Sequence, residues 1–429
     1  MKLNLKELLK DKFVRGTFFL TAANFGGAFL NYLVHPILTR HLSIAAYGDF
    51  QAILSFITIL GVLSAVINTT LIKEFSTLAA NQPEKIEALR RRAASRFFWF
   101  GLAIFALIII FIQPLNQLFK ISENTILIIA SLNFLYVFPL VVNRAVLSGK
   151  QDFFSLAINS FLDAGSRLFF IILFVIIFPL DLNGAAWAIG LAGLASFLVS
   201  FYQIKRLKLP TAPIDFKPSL RHFWRYSLLV LWFMALSQFF YNFDMLLVKS
   251  YFSPEEAGLY GAMLTIGRII FFIGGVVPLV MFPVVANLKE DKSLRSFKVL
   301  GKSIAMLGAL AVPAYLIIAL WPEFIIKLIV GAKYLAITTY LPSLALVILI
   351  LTLMTILSNY FLALANHHSL IILTLAAICE IILISLFHHN LSEIILCLNL
   401  IFGAATLGLL SLVGWEYIKT KRYLYAQEN

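Results

Sequence analysis

Apolar residues run through this chain in blocks rather than alternating with polar ones. Blocks of about 20 residues or more recur from the N-terminal region to the C-terminal one, each long enough to cross a hydrocarbon core of ~30 Å. A β-barrel would instead show strands of about ten residues with alternating polarity, so every crossing is helical. The blocks predict helices at 14–38, 45–72, 97–118, 124–147, 154–180, 183–204, 223–249, 257–287, 299–327, 335–365, 370–388 and 391–418. The chain therefore reads as an all-α integral membrane protein with about 12 transmembrane helices.

The first block follows Lys2, Lys6, Lys10, Lys12 and Arg15. A signal peptide begins in a similar way, but this block is too long to be a cleavable one and reads as the first membrane helix. Leu5, Leu8, Leu9 and Phe13 would lay the preceding stretch on the membrane surface as a short amphipathic helix. Three connecting segments are longer than the rest: 73–96, 205–222 and 288–298. The first contains a stretch suited to a short surface helix near anionic lipid. The second holds Pro210, Pro213 and Pro218 and reads as a cytoplasmic linker between halves at 1–204 and 223–429.

The second half echoes the first. When 38–54 is laid on 247–264, Ser43 falls on Ser253, Gly48 on Gly258 and Phe50 on Tyr260; further on, Asp163 falls on Glu380. Each half holds an even number of helices, which gives the two bundles the same orientation and relates them by an axis along the membrane normal.

Composition sharpens this picture. The chain is 61% hydrophobic and only 13% charged, where a soluble domain is nearer a quarter charged. Its net charge of +13 has a topological source. Most Lys and Arg lie in the N-terminal segment, 73–96, 144–150, 205–225, 289–302 and the C-terminal segment, whereas the opposite side has Arg40, Lys120, Lys249, Lys327 and Lys333. The positive-inside rule places both termini in the cytoplasm of a bacterial inner (cytoplasmic) membrane. No aromatic platform in a basic groove points to nucleic acid. Cys379 and Cys397 sit within apolar runs as packing residues, without metal-ligand spacing. There is no phosphate-binding glycine loop, no zinc-protease motif and no soluble domain to hold a nucleotide, so neither an enzyme nor a cofactor is expected.

Ionisable groups inside membrane helices are costly and mark partners or pathways. Asp163 and Arg167, spaced to pair on one helix face with Asn159 and Ser166, are either a structural pair or part of a cation or proton site. Asn24, Asn31 and His35 share one face of the first helix beside Gly26, Gly27 and Ala28, forming interhelical hydrogen bonds or a polar wall. Asn133, Tyr136 and Arg144 share a face of the fourth helix; Arg144 lies near its cytoplasmic end, where snorkelling explains it as well as function does. Gln238 and Asn242 stand one turn apart, with Asp244 close by. Arg268 has no acidic residue within one turn and needs a water-filled cavity or a partner such as Asp244; its planar fork can donate bidentate hydrogen bonds. Pro139, Pro278, Pro283, Pro313 and Pro342 are candidate kinks and hinges.

The signature Pro36, Leu38, Thr39, Arg40, Leu42, Tyr47, Gly48 and Phe50, echoed in the second half between Phe252 and Gly261, resembles that of the polysaccharide-export flippases. That family shares a superfamily with lipid II flippases and with multidrug and toxin extruders. In the echo, Lys249 and Ser250 stand near the places of Thr39 and Arg40. The resemblance implies two six-helix bundles in a V around a central cavity, which move an isoprenoid-pyrophosphate-linked oligosaccharide across the membrane by alternating access. The candidate cavity residues are Arg268, Asn24, Asn31, Arg40, Arg144, Asp244, Gln238 and Asn242; Asp163, Arg167 and Glu380 are candidates for an ion site or a structural pair. The expected partners are the lipid-linked oligosaccharide, membrane lipid and other polysaccharide-assembly proteins. A proton or sodium ion is the candidate coupling ion, and the chain is expected to be a monomer. Two alternatives remain. A proton- or sodium-coupled multidrug extruder would line its cavity with carboxylates rather than this basic excess. A membrane glycan polymerase or ligase would carry a large outer loop, and the outer loops here are short.

Overall fold

The structure, a computed structural model, describes residues 12–210, 221–288 and 294–428. The expected N-terminal surface helix lies mostly outside them, as do 211–220 of the linker and 289–293 of the third long segment. The long helices are α1 (Lys12–His41), α2 (Ile44–Asn81), α3 (Ile86–Ile110), α4 (Asn124–Gly149), α5 (Phe153–Ile177), α6 (Asp181–Arg206), α7 (Arg221–Tyr251), α8 (Pro254–Asn287), α9 (Arg295–Leu320), α10 (Leu341–Ala363), α11 (His368–Leu386) and α12 (Leu391–Glu428). No strand occurs among the described residues. Eleven helices among the described residues are long and apolar enough to cross a membrane. The remaining long helix is α1, which has 30 residues and carries Asn24, Asn31 and His35.

Local chemistry starts these helices where the sequence suggests. The Ser43 hydroxyl caps α2 by accepting from the Ala46 N–H at 3.1 Å. Ser253 does the same for α8, and the Glu256 side chain reaches back to the Ser253 N–H, closing a capping box. Asp152 caps α5 through the Ser155 N–H at 3.2 Å.

Several boundaries differ from expectation. The basic segment 73–96 is not a loop with its own surface helix. α2 runs on to Asn81, one 3-10 turn (Pro83–Lys85) follows, and α3 begins at once. Glu87 at its start pairs with Arg90 and Arg91 one turn on, which favours helix there. At the opposite ends of α3 and α9, short helices split off at Ile112–Phe119 and Pro322–Ile329. Each is followed by a left-handed residue, Lys120 (φ 45°) and Gly331 (φ 102°). α8 is interrupted at Gly275: Pro278 has no N–H to offer the Gly274 carbonyl, so the hydrogen-bond ladder fails there. The last helix continues past 418 to Glu428. Pro139, Pro283 and Pro313 lie inside helices, as does Pro36, whereas Pro342 sits in the first turn of α10, where its missing N–H costs nothing.

The chain forms two compact units, Met1–Leu231 and Trp232–Asn429. Within the first, α4 packs on α2, α3 and α6, and α5 packs on α1 and α6. Within the second, α10 packs on α8, α9 and α12, and α11 packs on α12. α7 is tied to α11 by Trp232 Nε1 donating to Thr374 Oγ1 at 3.0 Å and by Tyr251 donating to Ser385 at 3.0 Å. The neighbour order is thus the same in both units. The short helices after α3 and α9 match too, at eight residues each, and the turns before α5 and α11 both use a left-handed residue, Gln151 and Ala365. The repeat read from the sequence is a repeat of structure. α4 and α10 are the most buried spans of their units. Large apolar side chains such as Phe29, Trp99, Ile110 and Leu279 stay exposed, as suits helices surrounded by lipid.

The first unit is closed at one end by a core of Leu71, Phe75, Leu78, Ile86, Val142, Val146 and Ile204. Gly149 ends α4 against this core, where an added Cβ would stand 2.6 Å from Phe75 Cβ and 2.9 Å from the Phe75 carbonyl carbon. Backbone cannot swing aside as a side-chain tip can. Gly149→Ala should therefore cost roughly 1–3 kcal/mol through forced backbone shift, lowering the melting temperature in detergent by several degrees. Gly61→Ala, with nothing within 4 Å of the new carbon, should leave it unchanged.

Candidate functional site

Each unit buries its own set of charged and polar side chains. In the first, α4, α5 and α6 bring Arg144, Asn159, Asp163 and Ser196 together. The Arg144 guanidinium donates to Asn159 Oδ1 at 2.7 Å, to Ser196 Oγ at 2.9 Å and to Asp163 Oδ2 at 3.2 Å. Asn159 in turn donates to the Ser196 carbonyl at 2.9 Å. Arg144 is therefore an interhelical tie rather than a side chain reaching for the surface.

This corrects the expected pairing. Asp163 forms its ion pair with Arg144 from the neighbouring helix, not with Arg167 one turn along its own. Asn159 and Ser196 fix the Arg144 fork in the right orientation, and one turn of helix offers Arg167 nothing comparable. Arg167 is half-buried, its Nε is buried with no acceptor, and no carboxylate lies within ion-pair distance among the described residues. Tyr136 lies within electrostatic reach of both Asp163 and Arg167 and donates to the Gly190 carbonyl. Gly193 makes room for its ring: a Cβ there would be 2.6 Å from Tyr136 Cε2 and 3.0 Å from Asn133 Oδ1. The expected grouping of Asn133, Tyr136 and Arg144 on α4 thus divides between a contact with α6 and the Asp163 network.

On α1 the expected polar face is mixed. Asn24 is exposed, and Asn31 is half-buried with its Oδ1 unpartnered. His35 Nδ1 lies 3.1 Å from the hydroxyl of the fully buried Tyr47, which also accepts from Gln51 Nε2 at 2.7 Å. The Tyr47 of the signature thus joins α1 to α2. Arg40 is exposed and donates to the Pro36 carbonyl at 2.9 Å.

In the second unit, α7, α8 and α11 carry Gln238, Asn242, Asp244, Tyr260, Arg268 and Glu380. Arg268 is buried. It donates to the Tyr241 carbonyl at 2.8 Å and to Asn242 Oδ1 at 3.5 Å, and its Cζ stands 4.4 Å over the Tyr241 ring. It forms no salt bridge with Asp244, the partner sequence reasoning offered. Asp244 accepts from the Tyr260 hydroxyl at 2.7 Å and the Met245 N–H at 2.8 Å. Asn242 donates to Gln238 Oε1 at 3.0 Å. Glu380 is fully buried, and neither carboxylate oxygen has a hydrogen-bond partner. Lys249, expected in an outer segment, is instead a fully buried residue of α7.

Three groups escaped sequence reasoning. Tyr260, the donor to Asp244, was visible only as the counterpart of Phe50. Asp49 is buried and accepts from the Ser122 N–H at 3.1 Å; its signal is a carboxyl inside an apolar run. Arg90 makes a bidentate pair with Glu87 (2.7 and 2.8 Å), donates to Asn143 at 3.2 Å, and Asn143 donates to Ser200 at 2.9 Å, which links α3, α4 and α6. Arg90 looked like one more loop cation. No cluster of metal-ligating side chains occurs among the described residues.

Two helical units with the same internal packing order, each holding ionisable groups among membrane-spanning helices, form a fold shared with solved transporter structures. An inward-facing multidrug-resistance MATE transporter of the MOP superfamily superimposes with a TM-score of 0.76 at 14% identity, over 92% of this chain and 94% of that one. The lipid II flippase MurJ, in an inward closed conformation, gives 0.72 at 18% identity over 94% and 90%. A MOP superfamily transporter from Pyrococcus furiosus gives 0.64 at 16% identity over 98% of both chains. The chain belongs to the polysaccharide biosynthesis protein family, whose model matches residues 13–289. No curated protein sequence matches it.

Arg144 and Arg167 should behave differently on truncation. Arg144→Ala removes hydrogen bonds from Asn159 and Ser196 and strands the Asp163 carboxylate, a loss of roughly 1–3 kcal/mol, and should lower the amount of folded protein in the membrane. Arg167→Ala removes no hydrogen bond and should leave the amount unchanged. Quantitative immunoblotting of membranes checks both.

Proposed function

We propose that this chain is a transporter that flips an isoprenoid-pyrophosphate-linked oligosaccharide from the cytoplasmic to the outer leaflet by alternating access. The observation that carries the reading is unmet guanidinium capacity inside membrane helices. Arg167 Nε and Arg268 Nε are both buried without an acceptor, in a family tied to polysaccharide biosynthesis. A guanidinium in hydrocarbon costs at least ~2.5 kcal/mol even on the lenient insertion scale. An anionic group that arrives during the transport cycle supplies that compensation through charge-assisted, bidentate bonds. A pyrophosphate has the charge and the oxygens to do so. The same excess of cations argues against cationic drugs as the cargo.

The role given to Arg268 is cargo contact added to a structural hold, since it already clasps the Tyr241 carbonyl. Arg268→Lys should keep the charge and lose the fork, retaining part of the activity. Arg167→Ala and Arg268→Ala should each abolish complementation of a flippase-null strain, Arg167→Ala at normal abundance. Full complementation by Arg167→Ala would remove the first unit's cation from the mechanism.

Coupling to an ion is the second element, and Asp244 with Glu380 supports it. Asp244 has the Tyr260 hydroxyl and the Met245 N–H, but a carboxylate buried without a hydrogen bond, as at Glu380, costs several kcal/mol, and a proton or a sodium ion offsets the cost. Glu380→Gln preserves volume and removes the ionisable group. In proteoliposomes, transport by this variant should lose its dependence on an imposed proton or sodium gradient; an unaltered gradient response would exclude Glu380 as the coupling group.

The proposal includes orientation. The charge bias puts both termini, Lys85 and the linker 205–222 in the cytoplasm of a bacterial inner membrane and Lys120 outside. With Cys379 and Cys397 replaced by serine, a cysteine at position 120 should react with an impermeant maleimide in intact cells and one at 85 should not. The reverse pattern would invert the protein.

A further inference from the structure

At the end of the first unit that the charge bias assigns to the cytoplasm, the start of α3 and the end of α6 enclose a cleft of about 350 Å³ lined by Glu87, Arg90, Arg91, Lys205, Lys208 and the apolar Phe201, Ile204 and Leu209. Its size falls within the range of small-molecule sites. The charges divide into two sets. Arg90 is buried, gripped at two points by Glu87 and bonded to Asn143, so it is a fixed wall. Both Glu87 oxygens are taken, Oε2 by Arg90 and Oε1 by Arg90 and Arg91.

The second set has unused donors. Arg91 gives only its Nε to Glu87 at 2.7 Å, and its side chain is 68% exposed, which leaves the terminal nitrogens facing the cleft region. Lys205 and Lys208 are exposed and have no ion-pair partner among the described residues. Lys208 adopts the left-handed conformation (φ 45°) just past the end of α6, and this turn keeps it and Lys205 on the same cleft. Against one acid already neutralised stand four cations.

The remaining wall is greasy. Ile204 is buried in the closing core, while Phe201 and the adjacent Tyr202 are exposed, as are the apolar Trp187, Leu194 and Leu198 earlier on α6. A ligand here would have an anionic head among Arg91, Lys205 and Lys208 and an apolar body along Phe201. Basic pockets between transmembrane helices on the cytoplasmic side suit lipid phosphates, because guanidinium and ammonium groups pair with phosphate oxygens while the acyl chains stay in hydrocarbon.

We infer that this cleft binds the phosphodiester headgroup of an anionic membrane phospholipid. The site is separate from the buried Arg144 and Arg268 networks, and it rests on the proposed orientation only for which leaflet supplies the lipid. A lipid bound here bridges α3 to α6 at the point where Glu87, Arg90, Asn143 and Ser200 already join them, so occupancy should stiffen the first unit.

The test uses full-length protein, stripped of lipid in detergent, with native mass spectrometry and thermal unfolding as readouts. Cardiolipin, phosphatidylglycerol, phosphatidylcholine and inorganic pyrophosphate are the probes, none of which requires transport. Cardiolipin and phosphatidylglycerol should bind and raise the melting temperature; phosphatidylcholine should not, and pyrophosphate should give a much smaller rise. Lys205→Gln with Lys208→Gln, both exposed and outside the core, should weaken phosphatidylglycerol binding at least tenfold. Lys208→Glu alone should weaken it further than Lys208→Gln. The exposed Lys73, on α2 and outside the cleft, is the control: Lys73→Gln should change nothing. Unchanged phosphatidylglycerol binding in the double variant would overturn the assignment, as would equal binding of phosphatidylcholine. A rise with pyrophosphate as large as with lipid would replace it with a site for free phosphate compounds. Failure of transport assays with normal lipid binding would count against the proposed function alone.

Discussion

The constraint on which the rest of this structure depends is that a charge placed among membrane helices must find its compensation within the protein or in what the protein binds. Water is absent from the hydrocarbon region, and the penalty for an unmet polar group is several-fold higher than at a soluble surface. The helix packing of the first unit answers that constraint at Arg144. One guanidinium meets a carboxylate, an amide and a hydroxyl from α5 and α6, so the charge becomes the bond that fixes three helices to one another. The Glu87–Arg90–Asn143–Ser200 chain repeats the device closer to the basic end, across α3, α4 and α6. Apolar packing in lipid has no hydrophobic drive between helices, and polar ties of this kind supply specificity of register.

The two units show how one plan can carry different chemistry. Both place their most buried span, α4 or α10, against the same set of neighbours, and both use a capped helix start, a short helix beyond the third span and a left-handed turn before the fifth. The charged positions, however, have diverged. The acid of α5, Asp163, is half-buried and paired with an arginine; its counterpart in α11, Glu380, is fully buried and has no hydrogen-bond partner. The position of Phe50 in α2 becomes Tyr260 in α8, whose hydroxyl holds Asp244. The shared helices preserve packing, while the buried charges and the groups that meet them differ between the units.

The lysines and arginines of the basic face are not equivalent. Arg90 is buried structure, whereas Arg91, Lys205 and Lys208 keep donors free around a defined cleft. A cation count along the sequence treats them alike; burial separates them.

The sequence by itself determined the class, the helical character, nearly every span and the repeat, because each of these is written in blocks of apolar residues and in residues repeated at corresponding positions. The signature around Tyr47 pointed to the family. The sequence also located Arg144, Asp163, Arg167, Asp244, Arg268 and Glu380, since a charge in an apolar run is conspicuous, but it missed the buried Asp49, Glu87, Arg90 and Lys249. Which charges meet was decided by tertiary structure. Spacing made Arg167 the obvious partner for Asp163, but a neighbouring helix delivered Arg144 with two supporting groups already in place. Spacing left Asp244 open as the partner of Arg268, yet Tyr260 took the carboxylate and a backbone carbonyl took the guanidinium. Pairing inside a membrane follows the relative rotation of packed helices, and that rotation is set by contacts between residues far apart in the chain, which no local period encodes.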